Sequence, residues 1–177
     1  MKIKVHDKQF TPFIREKEIE GLVTSLAKQI NNDLKGQNPL FLGILNGSFL
    51  FTADLVRKFE GNCTVSFIKT ASYQGMKTTG EVKELIGLNE SITDRNVVII
   101  EDIVDSGNTI EYIYAELLKK QPSTLKIATL LLKPDAYKKN IKIDYVGKEI
   151  PDKFIVGYGL DYVGLGRNLK DIYVVTN

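Results

Sequence analysis

Cysteine is almost missing from this chain. Cys63 is the only one in 177 residues, so no intrachain disulfide can form and a reducing compartment, the cytoplasm, is the expected home. Histidine is as scarce: His6 stands alone, with no cysteine beside it, which leaves a His/Cys metal site or a nucleophile triad without parts. No stretch approaches the roughly 18 to 20 apolar residues of a membrane span, and the opening MKIKVHDKQF lacks the apolar centre of a secretion signal. Charge of one sign is not in excess either. Twenty-four basic residues against 22 acidic ones give a formal charge of +2, with no basic block of the kind nucleic-acid binders carry. Internal repeats and low-complexity tracts are absent too. A soluble, intracellular protein is expected, with neither nucleic acid nor membrane as partner.

What the chain does have is apolar content for one sizeable core, 43% of its residues, and one stretch around which the rest is organised: Val97 to Ile110, VVIIEDIVDSGNTI. Val97 to Ile100 run apolar without alternation, as a parallel strand buried on both faces requires. Glu101 and Asp102 fall where that strand is expected to leave the sheet. Asp105, Ser106, Gly107, Asn108 and Thr109 then form a polar loop opening a helix. Backbone N–H groups at a helix start lack intrahelical partners, and a glycine lets successive amides converge, so the loop suits a phosphate. Carboxylates upstream suit sugar hydroxyls, met directly or through a divalent metal. Together they point to a ribose phosphate. The plain alternative is a strand, a turn and a Ser or Thr helix cap. Three acids within five residues weigh against it.

Around this stretch the pattern alternates strand and helix. Lys2 to His6 reads as an edge strand, and Ile14 to Leu34 as a scaffold helix with Ile19, Leu22, Val23, Leu26 and Ile30 at helical spacing. Leu40 to Leu45 is a buried strand ending at Asn46, Gly47 and Ser48, before a helix at Phe49 to Lys58. That second polar tip is as readily an ordinary connection as a second phosphate cradle. Thr64 to Thr70 is a strand, 71 to 80 a loop with little periodicity, and Glu81 to Leu88 a returning strand. A helix from Ile110 stops before Pro122, and Leu125 to Leu132 is a strand stopped by Lys133-Pro134. Right-handed crossovers then put the loops at Asn46, Asp105 and Lys133 on one face. Short strands at Asp144 to Gly147, Phe154 to Tyr158 and Ile172 to Val175 suggest a small mixed cap.

EDIVDSGNT resembles the signature by which type I phosphoribosyltransferases hold 5-phosphoribosyl-1-pyrophosphate. With LNGSFLFTADL, TASYQG, LLLK and EIPDKFIVGYGLDY, the chain from about Leu40 onward is similar to the hypoxanthine-guanine phosphoribosyltransferases, and EIPDKFIVGYGLDY is what selects that branch. The resemblance implies the type I phosphoribosyltransferase fold: an α/β domain spanning 1–177, with a central, mainly parallel twisted sheet flanked by helices (about 14–140) and a small hood from the chain ends (about 1–13 and 141–177). It implies purine salvage, with transfer of phosphoribose to a 6-oxopurine, release of pyrophosphate and formation of a nucleoside monophosphate. Mg2+ as cofactor and a homodimer or homotetramer come with it.

By the same resemblance, Glu101 and Asp102 meet the ribose hydroxyls and magnesium, and Asp105 to Thr109 (Asp105, Ser106, Gly107, Asn108, Thr109) hold the 5′-phosphate. Asn46, Gly47 and Arg167 serve the pyrophosphate. Asp105 matches the general acid/base, with Lys133 as its catalytic companion. Lys133 and Lys153 match the lysines at the purine 6-oxo edge, where an ammonium selects oxo over amino because it only donates. Phe154 matches the stacking aromatic, Ile155 the main-chain contact to the base, and Asp161 the acid near a second magnesium. Ser72 and Tyr73 match the lid.

Each assignment has a duller counterpart: Phe154 as core, Lys153 as solvated surface, Asp161 as turn former, the 71 to 80 loop as a hydrophilic linker. Strict alternation would put Lys153 and Phe154 on opposite faces, so an irregular strand start is needed for both to reach one pocket. Two positions depart from the family's commoner pattern. Asn46 and Asn108 stand where relatives often carry basic residues, which removes positive charge near phosphates. The rival functions are transfer to another base, such as xanthine or adenine, and a nucleotide-sensing regulator of the same fold, for which the chain lacks an added DNA-binding segment or basic face.

Overall fold

The computed structural model describes residues 2–71, 83–88 and 90–176. In chain order the elements are β1 (Ile3–Val5), β2 (Lys8–Ile14), α1 (Glu16–Leu34), β3 (Leu40–Leu45), α2 (Phe49–Val56), β4 (Thr64–Ala71), β5 (Lys83–Ile86), β6 (Asn96–Val104), α3 (Asn108–Leu118), β7 (Thr124–Leu132), β8 (Tyr145–Glu149), β9 (Ile155–Val156) and β10 (Ile172–Val175). The main sheet has the order β5-β4-β3-β6-β7-β8; all neighbours pair parallel except β5, an antiparallel edge beside β4.

The unbroken apolar run of β6 follows from burial on both faces. Val98 and Ile100 pack with Val23, Leu26, Phe51 and Leu55 of α1 and α2, while Val97 and Ile99 pack with Ile110, Ile113 and Leu117 of α3. Among the described residues no helix is long and apolar enough to cross a membrane. Helix α1 begins at Glu16, later than the expected Ile14, because Ile14 ends β2. Its N-cap residue, Arg15, makes no side-chain cap bond. Asp171 supplies one from the far end of the chain, accepting the Glu16 N–H at 2.8 Å and pairing with Arg15 at 2.9 Å.

The chain ends form a second sheet, β1-β2-β10-β9, antiparallel throughout rather than mixed. Its strand β2 has no counterpart among the strands expected from the sequence. It carries Pro12 opposite Tyr173, next to a register shift, where a missing N–H is tolerated. His6 lies outside the edge strand expected for it, in the turn between β1 and β2 at φ 53°. The strand expected at Asp144 belongs to the main sheet and not to the cap: β8 extends it parallel to β7, and Asp144 both donates its N–H to the Ile127 carbonyl and accepts the Ile127 N–H.

Candidate active site

Strand β6 continues to Val104 in register with β7, so Glu101 and Asp102 lie inside the strand, not at its exit. Both are buried, at 8% and 6% exposure. Burial, then the neighbouring Asp102 charge, raises the Glu101 carboxyl well above its ordinary range, and burial raises Asp102 as well. Oε2 of Glu101 has no hydrogen-bond partner. Asp102 accepts the Ile103 N–H at 2.8 Å, and the charge of Arg167 partly offsets its burial. Two carboxyls held together in a dry place, one oxygen unpartnered, form a site short of positive charge.

Past β6 the chain turns through Asp105 and Ser106 to Gly107, which is the N-cap of α3 at φ 83° and makes no side-chain cap bond. The Ser or Thr cap of the plain alternative is therefore not formed. Asp105, Ser106, Asn108 and Thr109 are exposed around amides that no side chain caps. The dipole and free amides of an eleven-residue helix meet there.

Lys133 follows β7 directly. Its side chain is buried, yet it is fully engaged: Nζ lies 2.7 Å from Asp105 Oδ2 and 2.9 Å from Asp152 Oδ1. Burial alone would lower its pKa; the bonds to Asp105 and Asp152 outweigh that and raise it. Its backbone N–H donates to Val104 O at 2.9 Å, fixing the Lys133 corner beside the Asp105 loop as expected.

The Asn46 loop joins the acids through steric fit. A Cβ at Gly47 would fall 1.8 Å from Asp102 Oδ2, and one at Gly159, itself at φ 98°, 2.0 Å from the Gly47 carbonyl oxygen. Backbone and carboxylate therefore stack in three layers that admit no side chain. Asn46 is exposed at the loop tip. Arg167 ties in from the other side, donating to Gly159 O at 2.7 Å and pairing with Asp161 at 2.6 Å. The second Asp161 oxygen accepts the Gly164 N–H at 2.7 Å. Asp161 is thus occupied as both turn former and ion-pair partner, and among the described residues no group of three potential metal ligands converges.

Lys153 and Phe154 precede the two-residue β9, in irregular backbone of the kind both would need to reach one pocket; both are exposed. Phe154 is 45% exposed, whereas Ile155 is buried and pairs with Val174. Ser72 and Tyr73 lie outside the described residues. A groove of about 990 Å³ between α1, α2 and residues 168–170 contains none of these residues.

The sequence profile of the phosphoribosyl transferase domain matches residues 14–163. The chain is 38% identical to hypoxanthine-guanine phosphoribosyltransferase from Aquifex aeolicus, over 97% of this chain and 98% of that one. The corresponding enzyme from Staphylococcus aureus is 40% identical over 90% and 89%. The chain belongs to the hypoxanthine-guanine phosphoribosyltransferase family. A crystal structure of the Bacillus anthracis member superposes with a TM-score of 0.88 at 40% identity, covering 94% of this chain and 98% of that one. The Trypanosoma cruzi hypoxanthine phosphoribosyltransferase does so with 0.88 at 35% identity, over 98% and 95%.

Within this family framework, several neighbours of the site escaped sequence reasoning. Asp152 shares Lys133 with Asp105. Tyr162 meets Phe154 edge-on at 5.5 Å between centroids, Phe10 sits 6.4 Å away, and Lys8 Nζ lies 5.8 Å from the Phe154 centroid. The signal for them is weak: Phe10 and Lys8 belong to β2, whose pattern is interrupted by Pro12.

Proposed function

We propose that the chain transfers the 5-phosphoribosyl group from 5-phosphoribosyl-1-pyrophosphate to hypoxanthine, guanine or both, giving IMP or GMP and pyrophosphate in purine salvage. One observation carries the reading: a helix start without a side-chain cap and a buried, partner-poor carboxyl pair stand on the same strand-loop-helix unit. The loop Asp105 to Thr109 holds the 5′-phosphate through its amides and the Ser106 and Thr109 hydroxyls. Glu101 and Asp102 face the ribose, and the loop at Asn46 and Gly47 with Arg167 takes the pyrophosphate.

The purine nitrogen attacks the anomeric carbon as the bond to pyrophosphate oxygen breaks, and the base proton passes to the Asp105 carboxylate. Lys133, fixed on Asp105, orients that carboxylate and offers a donor to the 6-oxo group with Lys153. Phe154 stacks on the base, Ile155 bonds it through the main chain, and Asp161 lies near the 2-position. Ser72 and Tyr73 close over the centre to exclude water. Mg2+ fits this donor set, because an unpartnered oxygen on a buried acid pair calls for a hard cation. Glu101 and Asp102 would hold it, with Asp161 near a second ion, and when bound it would neutralise charge on the pyrophosphate. One domain over 1–177, a homodimer or homotetramer and a cytoplasmic location complete the reading; the free Cys63 supports the last.

The test is an absorbance assay with hypoxanthine, guanine, xanthine and adenine, each with phosphoribosyl pyrophosphate and Mg2+. Turnover of hypoxanthine or guanine, with adenine poor, is expected. No turnover of either would overturn the reading.

A further inference from the structure

Taking Asp105 to Thr109 as the 5′-phosphate cradle exposes a charge imbalance. That loop contains no lysine, arginine or histidine. The acids flanking its amides are Asp105, its first residue, and Glu111, in the first turn of α3. Asp105 is met by Lys133 at 2.7 Å. An uncompensated Glu111 would favour the helix dipole in the free protein but repel a dianion arriving at the same helix end.

Lys139 answers that charge. Its Nζ lies 2.7 Å from Glu111 Oε2, and its side chain is 22% exposed. The stem runs along the loop itself: a Cβ at Gly107 would fall 2.9 Å from Lys139 Cγ and 2.5 Å from Tyr137 Cε2. Tyr137 is anchored in turn, its hydroxyl donating to Ile141 O at 2.6 Å. Residues 137 and 139 therefore wall the phosphate loop, and the segment after β7 sends one lysine to each of the loop's flanking acids.

We propose that Lys139 is the counter-cation of the phosphate loop: by neutralising Glu111 it supplies, from a segment thirty residues on, the positive charge that Asn108 does not. This rests on the phosphate-binding reading of Asp105 to Thr109. Lys139 is a positioning residue, acting on the phosphate through Glu111.

Lys139→Gln tests it, with IMP affinity measured by titration and the KM for hypoxanthine measured at saturating phosphoribosyl pyrophosphate. The IMP Kd should rise about 3- to 10-fold at low ionic strength, the size expected of one carboxylate several ångströms from a phosphate in a wet site. The defect should shrink as salt rises. The KM for hypoxanthine should hold, Lys139→Arg should keep wild-type affinity, and Glu111→Gln with Lys139→Gln should restore it. An unchanged IMP Kd in Lys139→Gln, a parallel rise in the hypoxanthine KM, or a double variant as weak as the single one would each overturn the proposal. A wild-type protein that binds no IMP would instead remove the phosphate-loop reading on which it stands.

Discussion

Two charge clusters lie toward the carboxyl ends of the neighbouring strands β6 and β7 and are built in opposite ways. Lys133 is buried and meets two exposed carboxylates, at 2.7 and 2.9 Å, so every strong charge in the group has a partner. Glu101 and Asp102 are enclosed with each other, one oxygen wholly unpartnered. A buried like-charge pair costs stability that folding must offset elsewhere, and such groups persist where a ligand completes them. The difference teaches which half of the site is finished before substrate arrives. Under the proposed function, the Lys133 side is preassembled to orient Asp105, and the acid pair is completed by positive charge from outside.

Asp105→Asn breaks the finished cluster at its reactive member and carries the largest expected effect. Loss of general acid/base help should lower kcat by about 10²- to 10⁴-fold. Nucleotide affinity should change far less, because the loop amides remain. Equal losses in both, measured by turnover and IMP titration, would take Asp105 out of that role. Gly159→Ala comes next and strikes the unfinished side. Its methyl would drive into the Gly47 carbonyl oxygen, 2.0 Å away, and push Gly47 toward Asp102. A displacement of that kind costs on the order of 10²-fold in kcat/KM. The loss should appear chiefly in the KM for phosphoribosyl pyrophosphate. A matching rise in the hypoxanthine KM would mean that the whole site had shifted.

Much of this contrast was legible in the residues, and the rest was hidden for physical reasons. The run Val97 to Ile100 announces a strand covered on both faces, and the acids and glycine after it announce the loop chemistry. Periodicity, however, reports burial and not the identity of the neighbour. It could not show that β8 joins the parallel sheet, because no amphipathic helix separates it from β7 to mark a crossover. Nor could it show that Glu101 and Asp102 stay within the strand, since their place is set by pairing with β7. Pro12 disguised β2. Ion pairs such as Lys133 with Asp152, or Lys139 with Glu111, join residues 19 and 28 positions apart, and no local pattern encodes them.

Glu101→Gln should relieve the unfinished cluster and so separate stability from function. The amide keeps the shape, removes the like charge and can donate to Asp102, which should stabilise the ligand-free protein by about 1 kcal/mol, or roughly 3 °C in Tm. The pH dependence gives the sign. An acid whose folded pKa is raised binds more protons folded than unfolded, so wild-type stability is fullest below the ordinary value of 4.5 and declines as pH rises through the raised folded value. Thermal melts across that window should show a Tm falling in wild type and flatter in Glu101→Gln. Mg2+ with phosphoribosyl pyrophosphate should raise Tm more in wild type than in the variant. A variant that melts lower at every pH would mean that Glu101 is a net stabiliser.

The smallest effect belongs to the outer partner in the finished cluster. Asp152 is 62% exposed at its side chain, so its pair with Lys133 is well screened, and Asp152→Asn should cost only about 0.5 kcal/mol. The pH window distinguishes this loss from the acid pair's. Lys133 has a folded pKa raised above 10.5, so its contribution is complete below that value and is lost as pH rises through the folded one. Asp152→Asn should therefore lower stability by that amount across the neutral range, with the gap to wild type closing as pH rises through the raised Lys133 value, as melts or urea midpoints from pH 6 to 11 would reveal. Asp105 still holds the ammonium at 2.7 Å, so kcat should fall little. A fall as large as that of Asp105→Asn would mean that Lys133 needs both carboxylates to orient the reacting one.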